Sequence, residues 1–303
     1  MTVIRTLIAG LALTSLLTGP LLANEPSDDD IIVVTGERMT RKQAHELARA
    51  HAQAVLVAPV SDQNARWEDP LCIGAIGLRE DLALAVIDRI QAIATEAKVR
   101  MGGAKCQPNV IVLFTPNSDA AFADIEKRKP ELLSLTWNAD RKKLRTPGLP
   151  VRWFYGQEVE GVGGRQTGPN ATGLAGGGAA GGLFDLPVLS NSGASRAYTG
   201  VQLSLTGAIV LVDVPRVANV PLAALSDYIA FSVLSRTRID AAPQSTSIMS
   251  LFSADEANRP DGLTEIDMAL LKALYSVPSN HSATVHRRLM ASEMIKTLTA
   301  GTP

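Results

Sequence analysis

Histidine is scarce in this chain of 303 residues, and what there is sits badly for metal chemistry. The four histidines are His45, His51, His281 and His286, with no H-E-x-x-H and no pair at i, i+4 spacing. Catalytic zinc needs about three side-chain ligands and one open position, so a helix-borne zinc site is excluded and no metal is expected. All four are read as structural or solvated, with His51 a satisfied core residue on an apolar helical stripe. Cysteine is limited to Cys72 and Cys106, without a C-x-x-C pair, which removes thiolate zinc sites as well. No G-x-S-x-G is present to form a serine-hydrolase elbow. Gly176–Gly181 fits G-x-G-x-x-G in letters alone: no strand precedes it, and no G-K-[ST] follows to cradle phosphate. No cofactor is therefore expected. A formal net charge of -1 argues against a nucleic-acid surface.

The chain does carry an export pattern. Met1–Arg5 is a short basic start, Leu7–Leu17 an apolar stretch, and Gly19-Pro20 breaks it before Leu21-Leu22-Ala23. The stretch is well short of the ~20 residues a span needs. Residues 1–23 are read as a signal peptide cleaved after Ala23, and 24–30 as a polar linker. No later run is long and apolar enough to cross a membrane, so a periplasmic or secreted protein is expected. In an oxidising compartment the even cysteine count predicts a Cys72–Cys106 disulfide.

The spacing of apolar residues predicts an α+β fold. Ile31–Thr35 is β-branched and strand-like. Thr40 to Gln43 has the spacing of a capping box, followed by Ala44, Leu47, Ala48, His51 and Val55 on one helical face. Arg79–Arg100 is the clearest amphipathic helix, with Gly102-Gly103 expected to stop it. Asn109–Phe114, between two prolines, reads as a buried strand. Asp119–Leu133 is expected to be helical, Val151–Tyr155 a strand, and Gln202–Val212 strand again, with Ile209–Val214 more fully buried. Residues 160–182 are glycine-dense and read as a long loop. Leu222–Arg236 is apolar nearly all round, which places it inside the domain. Thr264 and Asp267 again have capping-box spacing, and a last helix is expected over Thr284–Leu298.

Three consecutive segments carry a family resemblance: the buried helix 222–236, the turn Ser247-Ile248-Met249-Ser250, and Leu263-Thr264-Glu265-Ile266-Asp267 leading into Ala273-Leu274-Tyr275. Their order resembles the metzincin-type zinc peptidases, in which an H-E-x-x-H helix is followed by a Met-turn and a C-terminal helix. The resemblance implies a zincin-like mixed sheet packed with helices, in one domain over residues 31–303. It departs from the family at the decisive residues. In one register Ser226 and Ala230 stand at the histidine positions with Asp227 for the glutamate. In the other, Asp227 and Phe231 stand there with Tyr228 for the glutamate. A third ligand would fall near Arg236, whose cation repels a metal. The resemblance thus implies a degenerate domain without its zinc site, with Asp227 and Tyr228 as the candidate residual binding site. The layout is also similar to that of exported proteobacterial proteins, which implies no specific activity.

These features favour a non-catalytic exported protein with a binding or scaffolding role, taking a peptide or protein partner along an edge strand, expected at Val201–Thr206. A hydrolase with a non-standard site is the alternative. A third possibility comes from Asp30–Arg38, which resembles the TonB-box segment of outer-membrane transporters. That likeness implies a TonB-like partner contacting Ile31, Val33 and Val34 by strand addition.

Overall fold

The computed structural model describes residues 31–34, 37–57, 64–133, 136, 138–161, 201–243 and 247–300. The expected signal peptide, the linker and the glycine-rich stretch beyond Gly161 lie outside them. The described residues form a mixed α+β structure with eight α-helices and a mostly parallel five-stranded sheet.

The chain opens with a small hairpin, β1 (Ile31–Val34) antiparallel to β2 (Glu37–Thr40). Val34 is buried and Ile32 packs on the core, so this segment belongs to the fold. Thr40 then caps α1 (Arg41–Val55). Its hydroxyl accepts from Gln43 N at 3.2 Å, while Gln43 Oε1 accepts from Thr40 N at 2.9 Å. This reciprocal pairing satisfies two otherwise orphaned amides. Ala44, Ala48, His51 and Val55 form the buried face of α1, as the spacing requires.

The main sheet holds β3 (Arg66–Trp67), β4 (Ile73–Ile76), β5 (Val110–Thr115), β6 (Val151–Gly161) and β7 (Val201–Asp213). β7 is central. It pairs in parallel with β5 and β3 along one edge, and antiparallel with β6 along the other. β4 adds in parallel outside β5. The expectation that Val201–Thr206 is an edge is therefore corrected. That segment pairs with β6, and Ser204 and Leu205 pair with β3 as well, so among the described residues the sheet ends in β4, four residues long, on one side and β6, eleven residues long, on the other. β7 also carries an extra residue. Gly156 faces Gly207 and Gln157 faces Leu205, leaving Thr206 as a bulge. The one-residue slip puts Leu203 and Leu205 on the same face as Ala208, Val210 and Val212, which a regular strand would split between faces.

That face packs on α2 (Glu80–Glu96) and α6 (Leu222–Leu234), and a continuous core runs on into α7 (Glu265–Ser276) and α8 (Ala283–Ala300). On the other face a smaller cluster joins Phe154 and Leu211 to Phe122 of α3 (Ser118–Arg128), Leu133, and Leu144 of α4 (Asn138–Leu144). A short turn, α5 (Val214–Val217), links β7 to α6. Helix α2 ends at Glu96, short of the expected stop at Gly102-Gly103. Lys98 takes a left-handed conformation (φ 65°) and turns the chain so that Arg100 O accepts from Leu71 N. The expected helix 119–133 breaks before Pro130, which lacks the N–H to continue it; Pro130–Leu133 is a 3₁₀ turn.

Cys72 and Cys106 form the expected disulfide, with Cα atoms 6.0 Å apart. It joins the start of β4 to the segment leading into β5. By chain-entropy reasoning, closing this loop stabilises the fold by about 4 kcal/mol. None of the described helices is long and apolar enough to cross a membrane.

Candidate functional site

Helix α6 is buried on every side from Ala224 to Leu234. Burial of a polar side chain is tolerated only with a partner, so its polar residues show what the helix is built to do. Pro221 precedes it, supplying a fixed φ at the start. Ser226 and Ser232 turn back on the helix, donating to Leu222 O at 2.7 Å and Tyr228 O at 2.8 Å. Ser235 ends the helix and donates to Phe231 O. Phe231 itself is fully buried.

Asp227 and Tyr228 are neighbours in sequence, but successive helical residues point about 100° apart, and the structure does not bring them into one site. Asp227 points at α2. Its carboxylate takes a bidentate pair from Arg89, Nε to Oδ1 at 2.5 Å and Nη2 to Oδ2 at 2.8 Å, and Oδ2 also accepts from Leu263 N at 2.7 Å. The carboxylate is buried while Arg89 is half-exposed. Its hydrogen bond to Asp227 raises the Arg89 pKa further, against the opposing effect of partial burial. A Cβ on Gly262 would stand 2.8 Å from Asp227 Oδ2, so the close approach of the backbone ahead of α7 needs glycine there. Asp227 thus ties α6 to α2 and to the entry of α7.

Tyr228 points instead at the turn after α6. Its ring makes edge-to-face contacts with Trp153 of β6 (5.7 Å) and with Phe252 (5.0 Å). Burial pushes its phenol pKa up. Beside it, Trp153 Nε1 donates to Thr237 O at 3.0 Å. The Tyr155 hydroxyl lies 2.5 Å from Ser232 O and 2.9 Å from Ser235 O, and it accepts from Thr237 N at 3.0 Å. These contacts lock β6 to the C-terminal end of α6.

The 3₁₀ turn Ile248–Ser250 packs under this face, with Met249 Sδ 3.9 Å from Ser232 Oγ. A second buried carboxylate holds the turn in place. Asp267 Oδ1 accepts from Ser247 Oγ at 2.6 Å, and Oδ2 accepts from Ile248 N and Thr264 Oγ1, each at 2.7 Å. It also closes the capping box of α7. His51 Nε2 of α1 approaches Oδ1 to 3.1 Å, with both side chains fully buried. Sequence reading treats Asp267 as a helix cap and as part of the family-like run 263–267; its reach to the Met249 turn and to His51 is long-range and leaves no local signal. Ser247, Asp267 and His51 are the three residue types of a serine hydrolase. Here the serine bonds the aspartate rather than the histidine, and all three are sealed from solvent. That arrangement cannot present a nucleophile.

A third polar cluster, also missed from sequence, lies on the opposite face. The buried Arg152 guanidinium pairs with Asp119, bonds Ser118 Oγ, and donates to Leu144 O and Thr146 O at 2.9 Å. Asp213 accepts from Ser118 N and Oγ, and Arg216 bridges Asp119 at 3.2 Å. Burial lowers the Arg152 pKa, with Asp119 opposing it. Burial acts to raise the Asp119 pKa, but Arg152 and Arg216 outweigh it and hold it below the usual value. With two cations facing two carboxylates, this is an internal charge network that pins the ends of β6 and β7 to α3. Among the described residues, no three His, Cys, Asp or Glu side chains converge as metal ligands.

No protein-family model matches the chain, and neither a curated protein nor a solved structure matches it.

Proposed function

We propose that this chain is an exported, non-catalytic binding protein on a degenerate zincin-like domain. It takes an extended peptide or protein segment along the outer edge of β6. The observation that carries this reading is the face of α6 turned toward Met249, which presents the Tyr228 ring and the Ser232 hydroxyl. The metzincin motif runs H-E-x-x-H-x-x-G-x-x-H ahead of its Met-turn. The residues of α6 that meet the turn region are Tyr228, through Phe252, and Ser232, through Met249. Setting these two at the histidine positions puts Ile229 in place of the glutamate. Ser235, where the helix ends, then falls at the glycine, and Arg238 at the third ligand. This register replaces those that start from Ser226 or Asp227, since Asp227 points to α2. In this register the Tyr228 ring, packed between Trp153 and Phe252, stands at the first histidine position and supplies no metal-binding nitrogen.

Binding along β6 is supported by its eleven residues, which pair only with β7 among the described residues. An unpaired strand edge is a template for another chain. The export pattern, together with the disulfide, favours a periplasmic or secreted location. The competing reading, a hydrolase with a non-standard site, needs a reactive group open to substrate; Asp227 and Tyr228 are both buried. A TonB-like partner is a lesser proposal: it would have to add at the outer edge of β1, because the other edge pairs with β2.

Two measurements on the purified protein test the main reading. Elemental analysis is expected to find no stoichiometric zinc, and a quenched fluorogenic peptide library is expected to stay intact. Hydrogen exchange with unstructured peptides is expected to protect Val151–Gly161. Stoichiometric zinc with chelator-sensitive proteolysis would overturn it, as would protection confined to other elements.

A further inference from the structure

We propose that a cavity between α1 and α8 is a binding site for a single-chain carboxylate, a medium-chain fatty acid. This site is separate from β6 and does not rest on the reading of α6. The helices meet there through Ala48, Ala52 and Ala291, and alanines leave a void where larger side chains would interdigitate. Leu56, Val57 and Met290 complete an apolar lining around a volume of about 290 Å³, at the lower end of small-molecule pockets.

The charged groups around this void are both cationic, and two side-chain amides accompany them. Arg49, Gln53, Asn64 and Arg287 line it, and among the described residues no carboxylate does. The Arg49 and Arg287 side chains make no ion pair among the described residues, although the chain pairs many of its other arginines. The Asn64 amide donates to Met290 Sδ at 3.3 Å, a weak acceptor. An apolar interior with two cations and an amide donor at its rim is complementary to an apolar chain with an anionic head. The head accepts from the guanidinium groups in charge-assisted hydrogen bonds, and the chain buries its apolar surface against the alanine floor.

The experiment titrates decanoate, decan-1-ol, decylammonium and acetate into the purified full chain, read by calorimetry and by the ¹³C-methyl resonance of Met290. Decanoate is expected to saturate at one site and shift the Met290 methyl. Decan-1-ol should bind at least about tenfold more weakly, the effect of losing one charge-assisted interaction. Acetate and decylammonium should leave the resonance unmoved. Ala52→Trp is expected to fill the void and abolish binding. Because a bulky replacement can unfold the chain, the double variant R49S/R287S provides a second reading at the surface. It should weaken decanoate at least about tenfold and leave decan-1-ol unchanged. Absence of saturable decanoate binding overturns the proposal. So does decylammonium binding as tightly as decanoate, or decanoate affinity unaltered in R49S/R287S.

Discussion

Two seams of this molecule treat buried polarity in opposite ways. Along α6, the Met249 turn and the start of α7, each of the two buried carboxylates is met by several donors: Asp227 by Arg89 and Leu263 N, Asp267 by Ser247, Ile248 N and Thr264. Along α8, His286 is equally buried, yet among the described residues neither ring nitrogen has a hydrogen-bond partner. The first seam converts burial into fixed geometry, because a satisfied buried network has few alternative arrangements. In the second, burial leaves a group whose neutral form alone is tolerated. One should fail when a partner is cut, the other when a proton is added.

The largest effect is expected at Asp267. Asp267→Ala removes the common acceptor of the turn, the α7 cap and the His51 approach, and it strands a buried serine hydroxyl and a backbone N–H. A loss of about 4 kcal/mol in urea unfolding is expected. Asp267→Asn, which keeps the shape and some acceptors, should lose less. Equal losses for the two would mean that packing, not the carboxylate, holds the turn.

The α8 seam should yield to acid. Burial, followed by the charges of Arg66, His281 and Arg287, lowers the His286 pKa from 6.5 to about 4. A depressed histidine pKa means the unfolded chain takes up the proton first. The contribution of His286 to stability is therefore whole above pH ~6.5, shrinks as pH falls, and is exhausted near pH 4. The drop across that window is about 3 kcal/mol by linkage. In His286→Leu the pH dependence of stability between 6.5 and 4 should flatten. An unchanged acid limb in that variant would assign the titration to other groups and erase the contrast between the seams.

Asp227 offers a finer comparison, because its main partner is half in water. Asp227→Ala and Arg89→Ala should each destabilise, with a coupling energy of about 2 kcal/mol in a double-mutant cycle, toward the lower side for a buried pair. Since solvent reaches Arg89, the coupling should also weaken in high salt. A coupling near zero would leave the Leu263 amide as the group that keeps Asp227 buried.

Local signals in the chain foretell its elements better than its polar network. The capping box at Thr40 and Gln43, the buried face of α1, the apolar helix α6 and the disulfide all follow from short-range spacing or cysteine count, and the fold contains them. What sequence hides depends on pairs far apart in the chain. The short strands β3 and β4 have too few residues to show a period, and they exist because β7 and β5 supply their partners. The bulge at Thr206 inverts the inward alternation of β7, and 201–206 lies inside the sheet because β6 and β3 pair with it. Asp227 and Tyr228 look like one site because they are adjacent, but helical geometry sends one to α2 and the other to the turn.

The smallest expected effect bears on whether Tyr228 is a binding residue or packing. Its ring is held edge-on by Trp153 and Phe252, but no hydrogen bond engages its hydroxyl among the described residues. Tyr228→Phe preserves every ring contact and removes only that oxygen, so stability should change by less than about 0.5 kcal/mol. Tyr228→Ala would remove both aromatic contacts and should cost about 3–5 kcal/mol. Hydrogen exchange on β6 in the presence of peptide should be the same in Tyr228→Phe as in the parent chain, because the proposed edge uses backbone groups of β6 and not this phenol. Loss of peptide protection in a Tyr228→Phe protein of unchanged stability would make the hydroxyl part of a recognition site. That result would reopen the face of α6 that the packing of Trp153 and Phe252 otherwise closes.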